Sequence, residues 1–228
     1  MNLDLSYLPS DVLKALGETF TMIGIAIIPT VVLGILLGIV LVGTERDGVF
    51  PTVFGSRRLA IAVHTVLGFI VNIGRSLPFI ILMLVLIPFS RLVVGTFLGP
   101  VGASVPLTVA AIPFFARLVE VSLREVDGGI VEAAKSLGAT RFTIIWKVLL
   151  AEARPSLLLA FSTQVISLIN YSAIAGTVGG GGLGDLAVRY GYERYSVPYL
   201  VVIIVLLIII VQVVQVILSA IARRLSHR

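Results

Sequence analysis

The sequence predicts an all-α membrane protein with five transmembrane helices, on three observations. Hydrophobic residues make up 58% of the 228 residues and charged residues 13%, with a mean hydropathy of +1.11. Charged residues form about a quarter of a typical soluble domain, so these are too few to cover a soluble globule. The apolar residues gather into runs that meet or exceed the roughly 20 residues a helix needs to cross a bilayer. Those runs do not alternate polar and apolar residues as barrel strands do, so helices must satisfy their own backbone hydrogen bonds.

The elements follow in order. Residues 1–18 carry Asp4, Asp11, Lys14 and Glu18 and form an outer N-terminal segment. With no basic start, and with too long an apolar run after it, this segment is not a cleavable signal peptide. The spans cover 19–42, 59–89, 101–121, 157–178 and 197–221, and a short tail covers 223–228. The second run is too long for one span. Pro78 removes a backbone donor and kinks a helix interior, so the helix should end near Gly74, break over 75–78 and resume. Pro29 marks a kink in the first span, and Gly34 and Gly38 form a GxxxG suited to close helix contact. Tyr190, Tyr192, Tyr195 and Tyr199 read as an interfacial aromatic belt before the last span, or as a surface for an outer partner.

Lys and Arg gather on the cytoplasmic side of membrane proteins. With the N-terminus outside, the inner segments hold 12 of the 17 basic residues: Arg46, Arg57, Arg58, Arg117, Arg124, Lys135, Arg141, Lys147, Arg154, Arg223, Arg224 and Arg228. The outer segments hold Lys14, Arg91, Arg189 and Arg194. The net charge of +5 thus reports topology and not nucleic-acid binding. The N-terminus is expected outside and the C-terminus in the cytoplasm of a multi-pass cell-membrane protein. An odd number of spans, without internal repeat, implies that a second copy completes any pathway.

Enzymatic chemistry finds no support. The chain has no cysteine and two histidines, His64 and His227, which excludes thiolate and multi-histidine metal sites. HExxH, GxSxG and Walker A patterns are absent. Gly179, Gly181 and Gly184 match GxGxxG formally, but after a membrane helix this reads as a turn and not a nucleotide fold. His64 fits packing or snorkelling better than ligation.

The loop over 122–154 is the most informative stretch. Within it, GGIVEAAKSLGAT (128–140) places Ile130, Val131, Ala134 and Leu137 on one helical face and Glu132, Lys135 and Ser136 on the other. Gly138 is placed for a left-handed C-cap and Thr140 for the next N-cap. Small alanines and a glutamate suit close approach to a protein more than to lipid headgroups.

Glu132-Ala133-Ala134 followed by Gly138 resembles the EAA motif of ABC importer permeases. In that pattern Val148 takes the Ile position and Leu150 the Leu, while Ala151 replaces the usual Pro and Pro155 opens the fourth span. NIGRSLPFIILMLVLIPF (72–89), VPLTVAAIPFFARLVE (105–120) and NYSAIAGTVGGGGLG (170–184) resemble the methionine-importer permeases. The resemblance implies a type I importer permease fold working as a homodimer. It implies two cytoplasmic ATPases docked at Glu132, Ala133, Ala134 and Gly138, and an extracytoplasmic methionine-binding protein. ATP and Mg would then belong to the ATPases, with no cofactor, metal or catalytic residue in this chain, and lipid and not nucleic acid around it. Another amino acid or a small peptide is the alternative cargo; an ATP-independent carrier or channel is the alternative class.

Thr163, Ser167, Asn170 and Ile174 share one face of the fourth span, with Gln164, Tyr171 and Ser172 nearby. That face reads as a pathway lining or as interhelical hydrogen bonding. The resemblance puts an apolar gate at Ile174, where a constriction can close by dewetting. Arg75 is the charge deep in a span. Such a charge is rarely left facing lipid, and it reads either as part of the pathway or gate or as a partner for carbonyls freed at Pro78.

Overall fold

The computed structural model describes residues 7–45, 49 and 56–226. Expectations for Asp4, Arg46 and the tail from His227 lie outside the described residues. Helix α1 (Leu8–Gly43) is followed by α2 (Arg57–Ser76), the short α3 (Phe79–Val85) and α4 (Ile87–Val94), and α5 (Gly99–Arg124). Helix α6 (Gly128–Ser136) precedes α7 (Arg141–Thr143), a π-helical turn over Ile144–Leu149 and α8 (Leu150–Glu152). Helix α9 (Arg154–Ala175), a second π-helical turn over Gly176–Gly180, α10 (Gly182–Leu186), a third over Ala187–Tyr192 and α11 (Val197–Ser226) complete the order.

Five of these helices are long and apolar enough to cross a membrane: Leu8–Gly43, Arg57–Ser76, Gly99–Arg124, Arg154–Gly180 and Val197–Leu225. Two boundaries differ in kind from the sequence reading; the third, fourth and fifth spans shift by at most four residues, and α11 runs on through most of the tail. The first helix begins at Leu8, so residues 8–18 of the polar N-terminal segment are continuous with the helix of the first span. The run 59–89 is one span ending at Ser76, and Pro78 caps α3 in an extended conformation, φ −58° and ψ 130°. Helices α3 and α4 have 7 and 8 residues, too few to cross. Pro29 lies inside a continuous α1.

The chain divides into two compact units, and α1, α5, α9 and α11 contribute residues to both. The first unit takes the chain to Thr30, Leu77–Ala111 and Val165–Val216. Its core joins Met22, Phe79, Met83, Leu107 and Leu168, with Phe79 stacked on Tyr171 at 4.8 Å. Its glycine-rich turn is tightly packed. Val178 (φ −114°, ψ 21°) and Gly179 (φ 92°) break the helix after Ala175. The amides of Gly182 and Leu183 then donate to Glu18 Oε2 (2.7 Å) and Thr19 Oγ1 (3.0 Å) of α1. These are the N–H groups that the first turn of a helix leaves without partners. The hydrogen bond from Arg189 to Asp185 raises the pKa of that guanidinium further.

The four tyrosines do not form a belt. Tyr199 is buried, stacks on Tyr190 at 4.6 Å and donates to Asp11 Oδ2 at 3.1 Å, while Tyr192 and Tyr195 are exposed. Asp11 supplies an acceptor for one phenol, so that ring leaves the surface.

The second unit takes Val31–Ser76, Ile112–Gln164 and the chain from Ile217. The GxxxG acts here: a Cβ on Gly34 would stand 2.6 Å from Phe115 Cδ1, and one on Gly38 2.5 Å from Val119 Cγ1. Helices α1 and α5 therefore meet at van der Waals contact, above a core of Phe115, Val119, Leu123, Ile144 and Leu149. His64 donates from Nδ1 to the Leu41 carbonyl at 3.0 Å, a structural role.

Candidate functional site

The second unit builds its loop from local rules. Asp127 caps α6, its side chain accepting from the Gly129 amide at 2.8 Å. At the other end Gly138 takes φ 75°, its amide donates to the Lys135 carbonyl, and the Ala139 amide donates to that of Ala134, each at 3.0 Å. This paired closure is a Schellman cap, and it needs the left-handed residue that glycine supplies without strain. Thr140 then accepts from the Thr143 amide at 3.2 Å and starts α7. The helix is capped at both ends, and Ile144, Ile145 and Leu149 anchor the segment behind it in the core.

The apolar face of α6 is narrower than its spacing suggests. Val131 and Ala134 pack against the core, but Ile130 is 42% exposed and Leu137 88%. Burial is centred between Val131 and Ala134, which leaves Ile130 on the shoulder, and Leu137 falls at the cap, beyond the last helical turn. Glu132, Ala133, Lys135, Ser136 and Gly138 are exposed as well. Phe142 (70% exposed) and Trp146 (49%) lie beyond the cap with rings 5.8 Å apart. The exposed surface thus combines one carboxylate, small side chains and large apolar ones.

A charge network at the end of α5 escapes the sequence reading. Glu120 is 1% exposed; Arg117 donates to it at 2.7 Å and Arg124 pairs with it at 2.6 Å. Arg124 also pairs with Glu45 after α1. The spacing of 117, 120 and 124 puts the three side chains on one helical face. Only the fold brings Glu45 to them.

Along α9, Thr163, Asn170 and Ile174 are exposed and Ser167 is half-buried, so the four form one open stripe. Thr163 donates to its own Leu159 carbonyl at 3.1 Å. The nearby polar residues turn the other way. Ser172 is buried and donates to the Ile169 carbonyl at 2.7 Å, and Tyr171 stacks on Phe79. Arg75 lies exposed in the last turn of α2, and among the described residues it bonds to none of the carbonyls around Pro78.

Gln164 is fully buried, and among the described residues neither amide atom has a hydrogen-bond partner. An orphaned buried amide costs about 1–3 kcal/mol, and an apolar group of the same shape removes that cost. Gln164→Met should therefore raise the apparent Tm, at about 2–4 °C per kcal/mol for a chain of this size. A lowered Tm in a thermal melt would show that the amide is satisfied by bound water.

The comparisons with known proteins agree on the kind of chain this is. Residues 49–228 match the family described as "Binding-protein-dependent transport system inner membrane component". Over 216 residues, covering 95% of this chain and 92% of the relative, it is 48% identical to the "Probable D-methionine transport system permease protein MetI" of Vibrio cholerae. It is 51% identical over 132 residues to the "Methionine import system permease protein MetP" of Bacillus subtilis, covering 58% and 60% of the two chains. Among solved structures, an inward-facing form of the MetNI methionine ABC transporter is similar, with a TM-score of 0.90 and 37% identity over 96% of this chain and 98% of that one.

Proposed function

The chain belongs to the binding-protein-dependent inner-membrane transport components, and from that membership and its likeness to methionine permeases we propose that it is the permease subunit of an ATP-driven importer of methionine. One observation carries the reading: a helix rigidly capped at both ends that presents Glu132, Ala133 and Leu137 outward. An ATPase dimer that closes on ATP and opens after hydrolysis can move a membrane domain only through an element stiff enough to transmit displacement. A helix fixed by Asp127 and Gly138 and backed by Ile144 and Leu149 meets that need, whereas a loose loop would absorb the motion.

Two copies of the chain line the pathway between them. The open α9 stripe of Thr163, Ser167, Asn170 and Ile174 faces it, and Ile174 serves as the apolar gate. Arg75 stands exposed in the last turn of α2 and not at a span's centre, so it escapes most of the roughly 2.5–3.5 kcal/mol that a central charge costs, and it faces the pathway or the second copy. The loop and the C-terminus are cytoplasmic and the N-terminus is outside, following the distribution of Lys and Arg. Two ATPase subunits hold ATP and Mg, an extracytoplasmic binding protein delivers the amino acid, and this chain catalyses nothing and holds no cofactor.

Affinity purification from the native membrane tests the coupling. Glu132→Arg and Leu137→Asp change exposed side chains, so the fold should persist. Gly138→Trp projects into open space, with only its left-handed backbone strained. Each variant should retain roughly tenfold less ATPase, the equivalent of about 1.4 kcal/mol. Methionine uptake should fall with it, and competition by other amino acids tests the cargo. A wild-type chain that transports while purifying without any ATPase would make it a carrier.

A further inference from the structure

The second unit contains an apolar groove that neither the loop nor the α9 stripe uses. Its volume is about 380 Å³, and it is lined by Val31 and Ile35 of α1, Phe115 of α5, Leu158 and Phe161 of α9, and Leu225 of α11; Arg154 adds only its apolar stem to the wall, which leaves the guanidinium outside the groove. That volume falls within the roughly 300–1,000 Å³ of small-ligand pockets. We propose that the groove is a site for one anionic phospholipid, with an acyl chain along the apolar wall and the phosphate on Arg154.

The placement of charge carries the argument. Arg154 is the first residue of the fourth span and Leu225 the last of the fifth, so chain direction puts both on the same side of the membrane. Arg154 is exposed and pairs with no carboxylate among the described residues, and no carboxylate lines the groove. Arg223 and Arg224 immediately precede Leu225. A guanidinium offers a phosphate two parallel donors, which zwitterionic and anionic lipids share, but a net negative headgroup gains further from several cations.

The groove also points away from the pathway. At about 100° per residue, Arg154, Leu158 and Phe161 lie roughly 150° or more round α9 from the stripe of Thr163, Ser167, Asn170 and Ile174. If that stripe faces the second copy, as proposed above, the groove faces the bilayer.

Native mass spectrometry of the full-length protein, purified in mild detergent and titrated with phosphatidylglycerol or phosphatidylcholine of matched chains, tests the site. The wild type should retain phosphatidylglycerol about fivefold more strongly, the gain expected for one basic residue near an anionic headgroup. Arg154→Gln should weaken both lipids and lower the ratio, and Arg154→Gln with Arg223→Gln and Arg224→Gln should bring it close to one while chain-dependent retention persists. Leu158→Trp should fill the groove and reduce both lipids. Equal retention by the wild type, or an unchanged ratio in Arg154→Gln, overturns the proposal. Failure to retain either lipid, with weakened self-association in Leu158→Trp, places a second copy in the groove and also overturns it. Methionine uptake is read separately, so a failed lipid site and a failed transport assignment give different results.

Discussion

Gly184→Ala should be among the most damaging single changes in the first unit, although it adds only one methyl group. A Cβ at Gly184 would stand 1.9 Å from the backbone oxygen of Ala173 and 2.6 Å from its carbonyl carbon. The clash is with backbone, so no side chain can swing away to relieve it. The approach is mutual: a Cβ at Gly176 would stand 2.5 Å from the Asp185 amide nitrogen. The end of α9 and the start of α10 thus touch main chain to main chain, and Glu18 and Thr19 tie the same turn to α1. Overpacking a rigid site costs about 1–3 kcal/mol, sometimes more, and this site stands at or above the top of that range. The apparent Tm should fall by roughly 6–12 °C, if the variant accumulates at all. Gly17→Ala, where the added Cβ meets nothing within 4 Å, should leave the melt unchanged or raise it slightly, since alanine favours a helix by roughly 0.5–1 kcal/mol over glycine. Circular dichroism melts of both variants decide the matter. A Gly184→Ala melt that matches the wild type would mean the two segments can separate without loss.

The same turn marks what the sequence could and could not disclose. GGGG after an apolar run indicates a turn, but not that two amides in it find Glu18 and Thr19, 164 residues earlier. The polar residues of the N-terminal segment look like a solvated stretch for the same reason: Asp11 and Glu18 are bound by groups near the other end of the chain. Tyrosine spacing suggests a belt because the acceptor that draws Tyr199 inward is still farther away in sequence, 188 residues. Local signals fare better. Pro78 ends the second span, Asp127 and Gly138 bound α6, and the α9 stripe emerges on an open face, because caps, prolines and helical period act within a few residues. The amphipathic face of α6 is an intermediate case. Its period is local, but the shape of the core it meets decides that Val131 and Ala134 are covered while Leu137 is not.

The charge network at the end of α5 should have the second large effect, and a rescue experiment can separate charge from packing. Glu120 is buried, whereas the side chains of Arg117 and Arg124 are 37% and 41% exposed. The two kinds of partner therefore differ in what their removal leaves behind. Glu120→Gln frees two arginines that can turn to water, and Arg124 keeps Glu45, so its cost should be small. Arg117→Met with Arg124→Met leaves a buried carboxylate with no cation, and stranding a buried charge costs about 3–5 kcal/mol. That double variant should melt at least about 6 °C below the wild type. Adding Glu120→Gln to it removes the stranded charge and should recover most of the loss, even though a third native side chain has gone. A triple variant as unstable as the double would mean the arginines act through the packing of their stems and not through charge. The loop gives the experiment a second readout. Arg124 ties Glu45, just after α1, to the end of α5, three residues before Asp127 caps α6, so if α6 is the proposed docking element, ATPase retention should fall in the double variant and return in the triple. Recovery of stability without recovery of ATPase retention would instead show that the tie from Arg124 to Glu45 is needed to hold α6 in place.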